Sequence, residues 1–559
     1  MDAATFEPPS PGSWEIESAH MQRPSTRYMA ELFPVHMVRG FKEAMSRYGS
    51  LLDHMDVAVI NGFIYMCPRP VGAPKKAKGT PPKLIFKLLT KLHPEIRRRL
   101  KRCAEVLDKK LWREDIARWD SEWKPAILAR HAELIAVDLA KLDNGALAEH
   151  LEHVEERMAD AIYRHHSLNV CAMFPVGDLL AQALPWTGLP ASELCALLNG
   201  STPVSVGATD ELDHAVAAIR ADADASRLLA SSASAEEIVS GLEAHTGEVG
   251  TAVRAYLAIV GPRLPSGYDV SEPCARELPE ILVGALRAGS TSKLDAAQVT
   301  AATARVRAAV PEAHRAQFDE LLAEARFVYR IRDERGYLND AFATGLARRA
   351  LLVAGDRLVA TGKLHSRDHV VDLKPSEVCA LLRGEPGPTA EQTAKHVTYR
   401  MSHSTEDAPQ QLGFPPSAPP PAEWLPPAGA RMMRAVGAAM GAMFEVPKKS
   451  GEAKMLRGLA ASPGTYEGRA RVVLGAEQFA KVERGDVLIA RTTCPSYNVL
   501  LPLLGGIVTD RGGLLSHAAI VAREYGMPAV VGTTDATTVV PDGARVRVNG
   551  ATGEVQVLS

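Results

Sequence analysis

Residues 512–523 read GGLLSHAAIVAR, and this stretch decides how the C-terminal part of the chain is interpreted. Two glycines form a loop, and His517 follows at the first turn of a short amphipathic helix. A helix start carries unpaired backbone N–H groups and the positive end of the helix dipole, so it favours an anionic phosphoryl group. An imidazole nitrogen placed there can accept a phosphoryl group covalently and pass it on. Taken alone, the pattern also fits a histidine that merely caps its helix.

The residues around this loop predict a small α/β domain. Gly526-Met527-Pro528 ends the helix, with glycine and proline in the expected order. Residues 529–532 predict a buried strand, and Asp542-Gly543 predicts a turn. Alternating residues at 544–548 and the segment 554–558 predict two further strands.

Together these motifs resemble the swivelling phosphohistidine domain of the phosphoenolpyruvate-utilising enzymes. That family includes pyruvate-phosphate dikinase, phosphoenolpyruvate synthase, rifampin phosphotransferase and the phenylphosphate synthases. The resemblance rests on Gly-Gly-x-x-Ser-His-Ala-Ala-Ile-Val-Ala-Arg followed by Gly-Met-Pro-Ala-Val-Val-Gly, and residues 461–473 resemble the domain's opening strand and turn. It implies that His517 is the nucleophile and the phosphoryl carrier.

Several residues near His517 are candidates for contact with the phosphoryl group. The backbone of Gly512 and Gly513 and the helix start would receive the phosphate oxygens. Arg511 and Arg523 are candidates to neutralise its charge, although Arg523 is equally suited to pair with Glu524 or a neighbouring domain. Ser516 belongs to the same set, and its usual role would be to cap the helix. Thr509 and Asp510 are expected to shape the loop.

Length and composition bound the remaining possibilities. A chain of 559 residues exceeds one ordinary core and predicts two to four domains. Lys plus Arg (64) nearly balances Asp plus Glu (66), so the net charge of -2 predicts no nucleic-acid or membrane partner. The seven cysteines, at positions 67, 103, 171, 195, 274, 379 and 494, form no C-x-x-C pair, which predicts reduced thiols and no zinc site. No signal peptide or membrane-spanning run is predicted, so we expect a soluble cytoplasmic protein.

The predicted fold is multidomain, with a large mainly α-helical substrate domain and a C-terminal α/β swivelling phosphohistidine domain. The predicted boundaries are an irregular N-terminal arm (1–25), a mainly helical substrate-binding domain (26–400), a proline-rich linker and hinge with a short helix (401–456), and the swivelling domain (457–559). A hairpin is predicted at residues 57–66, with Asn61-Gly62 at its turn. The proline-rich run 402–430 is expected to be semi-extended and to stay outside any packed core.

A long helical stretch is predicted from Ala301 to Thr361, with kinks expected at Gly336 or Gly345. Its charges are dense; they are Arg326, Arg330, Arg332, Asp333, Glu334, Arg335, Arg348 and Arg349. A solvated face with i,i+4 ion pairs explains such a pattern. The alternative is that some of these arginines face a phosphate or a carboxylate.

Weaker motifs in the helical region resemble the substrate-binding domain of rifampin phosphotransferase-like proteins. They are Trp14, His20, Arg23-Pro24, Arg27 and Glu31-Leu32-Phe33-Pro34, then residues 267–273, 346–352 and 355–358. Relatives often carry Tyr-Gly-His-Arg where this chain has Val260-Gly261-Pro262-Arg263, and a proline at 262 cannot do acid–base chemistry. Leu515 also replaces the threonine that a regulatory protein phosphorylates in some members, so that mode of control is not expected.

The family charges its histidine with an ATP-grasp domain or a phosphoenolpyruvate-binding barrel, and residues 1–450 have the periodicity of neither. The resemblance therefore implies a dikinase-like phosphotransferase subunit that depends on a separately encoded ATP-grasp protein, with Mg²⁺ entering alongside ATP. The resemblance implies a small hydroxyl-bearing acceptor, such as a phenol, another alcohol or an antibiotic, ahead of pyruvate. A phosphoenolpyruvate synthase-like component and a non-catalytic phosphocarrier or ligand sensor remain alternatives. No general base is assigned; His20, Arg23, His365, His369 and His403 qualify by residue type alone.

Overall fold

The structure, a computed structural model, describes residues 5–201, 209–265, 267–289, 296–444, 455–493, 497–498 and 500–558. The strands are β1 Ser13–Ile16, β2 Leu52–Ile60, β3 Phe63–Pro70, β4 Gln411–Gly413, β5 Met455–Arg457, β6 Leu459–Ser462, β7 Thr465–Val473, β8 Asp486–Ala490, β9 Leu504–Thr509, β10 Ala529–Val531, β11 Arg545–Asn549 and β12 Glu554–Val557.

The α-helices are α1 Arg27–Tyr48, α2 Lys83–Leu92, α3 Pro94–Lys109, α4 Leu111–Arg118, α5 Lys124–Ala136, α6 Asn144–Ser167, α7 Asn169–Thr187, α8 Ala191–Ala196, α9 Thr209–Ala221, α10 Ala223–Ala230, α11 Ala235–Ala244, α12 Glu248–Val260, α13 Pro279–Ala288, α14 Ala296–Ala309, α15 Arg315–Tyr329, α16 Ile331–Arg335, α17 Ala343–Ala360, α18 Pro375–Leu382, α19 Ala390–Ser402, α20 Pro427–Phe444, α21 His517–Glu524 and α22 Ala536–Val539. The chain is thus mostly helical with a C-terminal sheet, as the sequence predicted.

The chain divides into two compact units, each built from three segments. The first unit comprises Met1–Phe174, Gly267–Ser271 and Arg335–Val436, and the second comprises Pro175–Ser266, Glu272–Glu334 and Gly437–Ser559. The ends of these segments differ from the boundaries predicted at residues 25, 400 and 456. The predicted domain division stays a prediction.

The first unit contains a four-stranded antiparallel sheet in the order β2-β3-β1-β4. The predicted hairpin is confirmed and is longer than expected, and its turn places Asn61 and Gly62 at φ 50° and 81°. Two expectations are corrected. The predicted irregular arm contributes β1, and the proline-rich run contributes β4, which pairs with β1 in antiparallel register. Three residues without proline suffice for this ladder, since Gln411–Gly413 lie between the prolines.

The predicted long helix from 301 to 361 is interrupted. A 3-10 turn at Glu312–His314 separates α14 from α15, because Pro311 cannot supply a backbone N–H to a continuous helix. A π-helical segment, Gly336–Phe342, then connects α16 to α17. The kink expected at Gly336 thus takes the form of a π-helix, whereas Gly345 lies inside the regular helix α17.

The second unit contains an eight-stranded sheet in the order β5-β12-β11-β7-β8-β9-β10-β6. The central strands β7-β8-β9-β10 are parallel. Buried side chains, mostly valine, isoleucine and alanine, from these strands and from β5, β11 and β12 form a hydrophobic core. Because β8 and β9 are parallel neighbours, the loops that follow them emerge at the same edge of the sheet.

One helical stretch, Asn144–Thr187, contains a window long and apolar enough to cross a membrane. However, 72% of that window is buried inside the structure, which is typical of a core helix. This stretch comprises α6 and α7. From the sequence, no membrane-spanning run was predicted here.

Candidate functional site

Helix α21 begins with His517, and its N-cap is Ser516. The Ser516 hydroxyl accepts a hydrogen bond from the Ala519 N–H at 3.4 Å, so Ser516 caps the helix as its residue type suggested. Apolar residues on the other side of α21 are buried against the sheet, which holds the helix start in place. The sequence pattern and the local structure therefore agree on where the helix begins.

Two side chains hold the His517 ring by its two nitrogens. The Thr493 hydroxyl oxygen lies 2.9 Å from Nδ1, and the Asn498 Oδ1 lies 3.0 Å from Nε2. A hydroxyl can donate or accept, so Thr493 remains a partner of Nδ1 in either tautomer. Because the Asn498 amide oxygen only accepts, these contacts fit a ring that carries its proton on Nε2 and accepts from Thr493 at Nδ1. A shift of the proton to Nδ1 would free the Nε2 lone pair for nucleophilic attack.

Arg332 on α16 contributes a positive charge near this histidine. Its Nη1 donates to the carbonyl oxygen of Leu515 in the histidine loop. Burial, reinforced by the charge of Arg332, lowers the pKa of His517 to about 3. The imidazole is therefore neutral at neutral pH, as a nitrogen nucleophile must be.

The other charged residues of that stretch make structural contacts. Arg326 donates to the Leu197 carbonyl, and Arg330 pairs with Glu334 at 2.8 Å. Arg348 and Arg349 donate to backbone carbonyls that include those of Val270 and Val137. A solvated face does not explain all of these charges, because most of the arginines bind backbone carbonyls of other segments. Contact with a phosphate or carboxylate ligand does not explain all of them either; of these arginines, Arg332 contacts the histidine loop.

The paired glycines meet the end of α20. The Gly513 N–H donates to the Met443 carbonyl and the Leu515 N–H to the Ala442 carbonyl, both at 2.8 Å. A Cβ on Gly513 would lie 2.3 Å from the Ala442 oxygen, so this approach needs glycine. Gly512 has a φ of 108°, which also favours glycine. The Gly513 N–H already donates to the Met443 carbonyl, so it could reach a phosphate oxygen only if the end of α20 moved. Contact between Gly513 and phosphate stays a prediction.

The two candidate arginines in this region occupy different environments. Arg523 is buried, and its Nη1 donates to the carbonyls of Leu514 (2.9 Å) and Ala461 (3.1 Å). It therefore braces the histidine loop from within the domain. Arg511 follows β9 and is partly exposed, and its N–H donates to the Arg491 carbonyl. Phosphate contact by either arginine stays a prediction.

Thr509 and Asp510 shape the loop, as expected. The Thr509 hydroxyl donates to the Arg511 carbonyl at 2.9 Å. The buried carboxylate of Asp510 accepts from both the N–H and the hydroxyl of Thr537. These bonds hold the segment before His517 against the segment that follows β10.

Glu524, next to Arg523, accepts hydrogen bonds from the Gly200 N–H at 2.9 and 3.0 Å. Burial raises the pKa of this carboxyl to about 7. The sequence had offered Glu524 only as a possible partner for Arg523.

Sequence reasoning missed Thr493 and Asn498. The available signal was positional: Thr493 follows the buried strand β8, and the histidine loop follows the parallel neighbour β9. Residues after adjacent parallel strands meet at one sheet edge, where ligands bind in such folds. Cys494, which the sequence grouped with the reduced thiols, lies outside the described residues, and the six described cysteines are buried and free.

The motifs of the helical region also come together. The Asp269 carboxylate accepts from the Ser25 hydroxyl at 3.0 Å and from the Thr26 N–H at 2.9 Å, at the start of α1. The His20 and Tyr268 rings pack edge to face with centroids 5.1 Å apart. The stretches 20–27 and 267–271 are therefore neighbours in the first unit.

A second titratable pair lies in the first unit, where the sequence had singled out neither member. Asp340 sits on the π-helical segment, and its Oδ2 lies 2.8 Å from Nδ1 of His165. Burial raises the pKa of Asp340 to about 7, against the charges of His166, Arg335 and His20. Among the earlier candidates, His20 contributes to this field, whereas His365 and His403 lie beside Glu391 and Tyr399.

Comparison with known proteins finds two family matches in this chain. Residues 482–553 match the family model described as PEP-utilising enzyme, mobile domain, and residues 166–352 match the rifampicin phosphotransferase fourth domain. A rifampicin phosphotransferase from Streptomyces sp. is 32% identical over 332 residues, which cover 56% of this chain and 35% of the relative. A phosphoenolpyruvate synthase from Aeropyrum pernix is 50% identical over 102 residues, or 18% of this chain and 12% of the relative.

A chondramide synthase from Chondromyces crocatus is 31% identical over 325 residues, which cover 54% of this chain and 8% of that protein. The chain thus spans about a third or less of the length of these curated relatives. The first family match lies within the predicted swivelling domain and contains His517, Thr493 and Asn498. The second includes the motifs at 267–273 and 346–352, whereas those at 14–34 and 355–358 lie outside it. The chain contains a mobile domain of the PEP-utilising enzymes, which carries His517, together with a fourth domain of the rifampicin phosphotransferase type.

Proposed function

We propose that this chain is the phosphohistidine-bearing component of an ATP-dependent phosphotransferase. The observation that carries the proposal is the neutral, doubly held imidazole of His517 at the start of α21. The relatives named rifampicin phosphotransferase and phosphoenolpyruvate synthase support phosphoryl transfer as the reaction class.

The transfer proceeds in two covalent stages. The Nε2 lone pair attacks the β-phosphorus of ATP, the bond to the α-phosphate oxygen breaks, and AMP leaves. Water then removes the γ-phosphate as inorganic phosphate, which leaves one phosphoryl group on nitrogen. An acceptor hydroxyl next attacks that phosphorus while the P–N bond breaks, its proton passes to a base, and His517 is regenerated.

Each residue around the ring has a part in this scheme. Thr493 keeps Nδ1 occupied and so directs the reaction to Nε2. Burial keeps the imidazole unprotonated; Arg332 reinforces this effect and supplies positive charge for the incoming phosphoryl group. Before Nε2 attacks, Asn498 must release it and the ring proton must move to Nδ1, where the Thr493 hydroxyl can accept it in a hydrogen bond.

We further propose that the nucleotide is bound by a separately encoded ATP-grasp protein. In the described part of the chain before β5, the elements are helices and one four-stranded sheet, and neither family match covers a nucleotide-binding module. Mg²⁺ would enter with ATP and supply charge neutralisation on the phosphates. Among the described residues, the contacts of the His517 ring are a hydroxyl and an amide, which suit Mg²⁺ less well than carboxylates. The Mg²⁺ ion would therefore be held by the nucleotide and the ATP-grasp protein. We propose that the reaction takes place in the cytoplasm.

The acceptor would be a small hydroxyl-bearing molecule held by the helical region, and Asp340 is the proposed base. Its pKa near 7 matches the proton transfer required at neutral pH, and Nδ1 of His165 lies 2.8 Å from its carboxylate. A π-helical segment is a frequent feature of functional sites, which supports this position.

The test is a labelling experiment with β-labelled ATP and the purified chain, with and without a cognate ATP-grasp protein. We expect acid-labile label on the wild type and on His403→Gln, and none on His517→Gln. Label that persists in His517→Gln contradicts the assignment of the carrier. Label acquired by the chain alone contradicts the separate ATP-grasp protein.

A second stage offers the labelled chain phenols, alcohols and pyruvate. Discharge to a hydroxyl compound supports the phosphotransferase, whereas discharge to pyruvate alone favours a phosphoenolpyruvate synthase-like component. If no acceptor removes the label, the chain acts as a carrier or sensor.

A further inference from the structure

Helix α2 presents an unusual surface in the first unit. Its side chains Leu84, Ile85, Leu88 and Leu92 are 82%, 52%, 55% and 66% exposed. Of its apolar residues, Phe86 is the buried one; it packs against Trp424 with ring centroids 5.9 Å apart. Leu84, Leu88 and Leu92 recur every fourth residue, so they form one stripe along the helix. We call this stripe of leucines, together with Ile85, the α2 surface.

Lysines run beside the α2 surface. Lys83, Lys87 and Lys91 also recur every fourth residue and are exposed, so each turn of α2 offers a leucine and an ammonium group side by side. The preceding loop adds the exposed Lys75 and Lys76. Their flexible stems can lie along an apolar boundary while the charges remain in water.

The charge around this surface is unbalanced. Between Val57 and Pro94 the sequence has no aspartate or glutamate, but it has six lysines at positions 75–91. The next acidic residue, Glu95, forms ion pairs with Arg98 and Arg99. Its Oε1 accepts from Arg98 Nη2 at 2.6 Å and from Arg99 Nε at 2.7 Å. The net charge of the whole chain, -2, predicted no membrane partner, but this local surface is both basic and apolar.

Composition distinguishes two kinds of partner for such a patch. Protein interfaces favour exposed aromatic residues and arginine at their centre and are depleted in lysine. The α2 surface has the opposite character, with leucine, isoleucine and lysine and with its one aromatic residue buried. A short helix with an apolar stripe and a lysine flank is the pattern that binds the interface of anionic membranes.

We propose that the α2 surface docks this chain on an anionic lipid surface. The leucines and Ile85 enter the boundary between headgroups and acyl chains, and the lysines contact the anionic headgroups. Such docking would place the chain where apolar hydroxyl compounds concentrate, and it is independent of the phosphoryl chemistry.

The test is co-sedimentation of the full chain with vesicles of phosphatidylcholine alone or mixed with phosphatidylglycerol. We expect binding to the mixed vesicles that weakens at high salt, and little binding to phosphatidylcholine. The variants Leu84→Gln/Leu88→Gln and Lys83→Gln/Lys87→Gln/Lys91→Gln should each lower the partition coefficient about tenfold or more. All five positions are exposed, so circular dichroism should match the wild type.

A matched control is Leu474→Gln, since Leu474 is 51% exposed in the second unit and should leave binding unchanged. Absence of binding to anionic vesicles overturns the proposal, as does equal binding to both vesicle types. Binding that survives both α2 variants also overturns it. If the α2 variants instead abolish a complex with a purified ATP-grasp protein and vesicles never bind, the surface serves a protein.

Discussion

The Thr493 hydroxyl lies 2.9 Å from Nδ1 of His517, although 24 residues separate them in the chain. The parallel pairing of β8 with β9 brings them together, because Thr493 follows one strand and the histidine loop follows the other. A residue from a different loop therefore fixes one of the two hydrogen bonds of the His517 ring.

Replacement of Thr493 by valine should slow phosphorylation of His517. Valine preserves the shape but removes the hydrogen bond to Nδ1, and a loss of about 1–2 kcal/mol corresponds to roughly 5- to 30-fold in rate. Thr493→Ser should restore most of the rate, since it keeps the hydroxyl. The measurement is the initial rate of label incorporation; an unchanged rate in Thr493→Val would show that the bond does not position the ring.

Removal of the Arg332 charge should raise the pKa of His517. Arg332→Met eliminates the repulsion that opposes the imidazolium, but burial remains the larger cause, so the pKa should stay below its ordinary value. Histidine NMR titration measures the shift directly. Arg332→Lys, which keeps the charge but not the planar donor set, should shift the pKa less. A pKa unaffected by Arg332→Met would contradict the proposed coupling.

Asp340→Asn should separate the two halves of the reaction. Labelling of His517 should proceed normally, while discharge of the label to an acceptor should slow by about 10²–10⁴-fold because asparagine cannot take the proton. In the wild type, discharge should speed up as pH rises through about 7, where Asp340 loses its proton, and then level off. A discharge profile that is unchanged in Asp340→Asn would remove this residue from the base role.

Gly513→Ala should detach the histidine loop from α20. A Cβ would lie 2.3 Å from the Ala442 oxygen, so the bonds made by Gly513 and Leu515 to the helix end should break, at a cost of about 1–3 kcal/mol. Amide hydrogen exchange at both residues should accelerate. Gly437→Ala is the control: its Cβ would meet nothing within 4 Å, and alanine favours helix α20. Equal protection in both variants would show that the contact is weak.

Glu524 should make stability depend on pH. Its folded pKa of about 7 exceeds the ordinary value of 4.5, so the folded state binds more protons between these pH values. The free energy of unfolding should therefore fall as pH rises from about 4.5 to 7 and stay constant above, by up to about 3 kcal/mol. Glu524→Gln keeps an acceptor for the Gly200 N–H and carries no charge. It should be more stable than wild type at pH 8 and similar near pH 4.5 in urea unfolding; a parallel decline in both proteins would exclude Glu524 as the cause.

Local sequence determined much of the C-terminal domain. The glycine pair, Ser516 before the helix and Gly526-Met527-Pro528 after it specify a loop, a cap and a stop, and each acts over a few residues. The hairpin turn at Asn61-Gly62 was equally readable, because those residues tolerate positive φ. Such features need no information from distant parts of the chain.

Only the tertiary structure decided which groups surround His517. Thr493 and Asn498 reach it through the pairing of strands, and Arg332 reaches the loop from α16, more than a hundred residues earlier. The charge pattern between Arg326 and Arg349 could not distinguish Arg332 from its neighbours, since side-chain direction depends on packing. Gly336 illustrates the same limit: it predicted a kink, and the structure instead has a π-helix, Gly336–Phe342, that carries Asp340. Motifs within one loop follow from local backbone preferences, whereas a site assembled from several loops follows from the burial and strand pairing that bring them together.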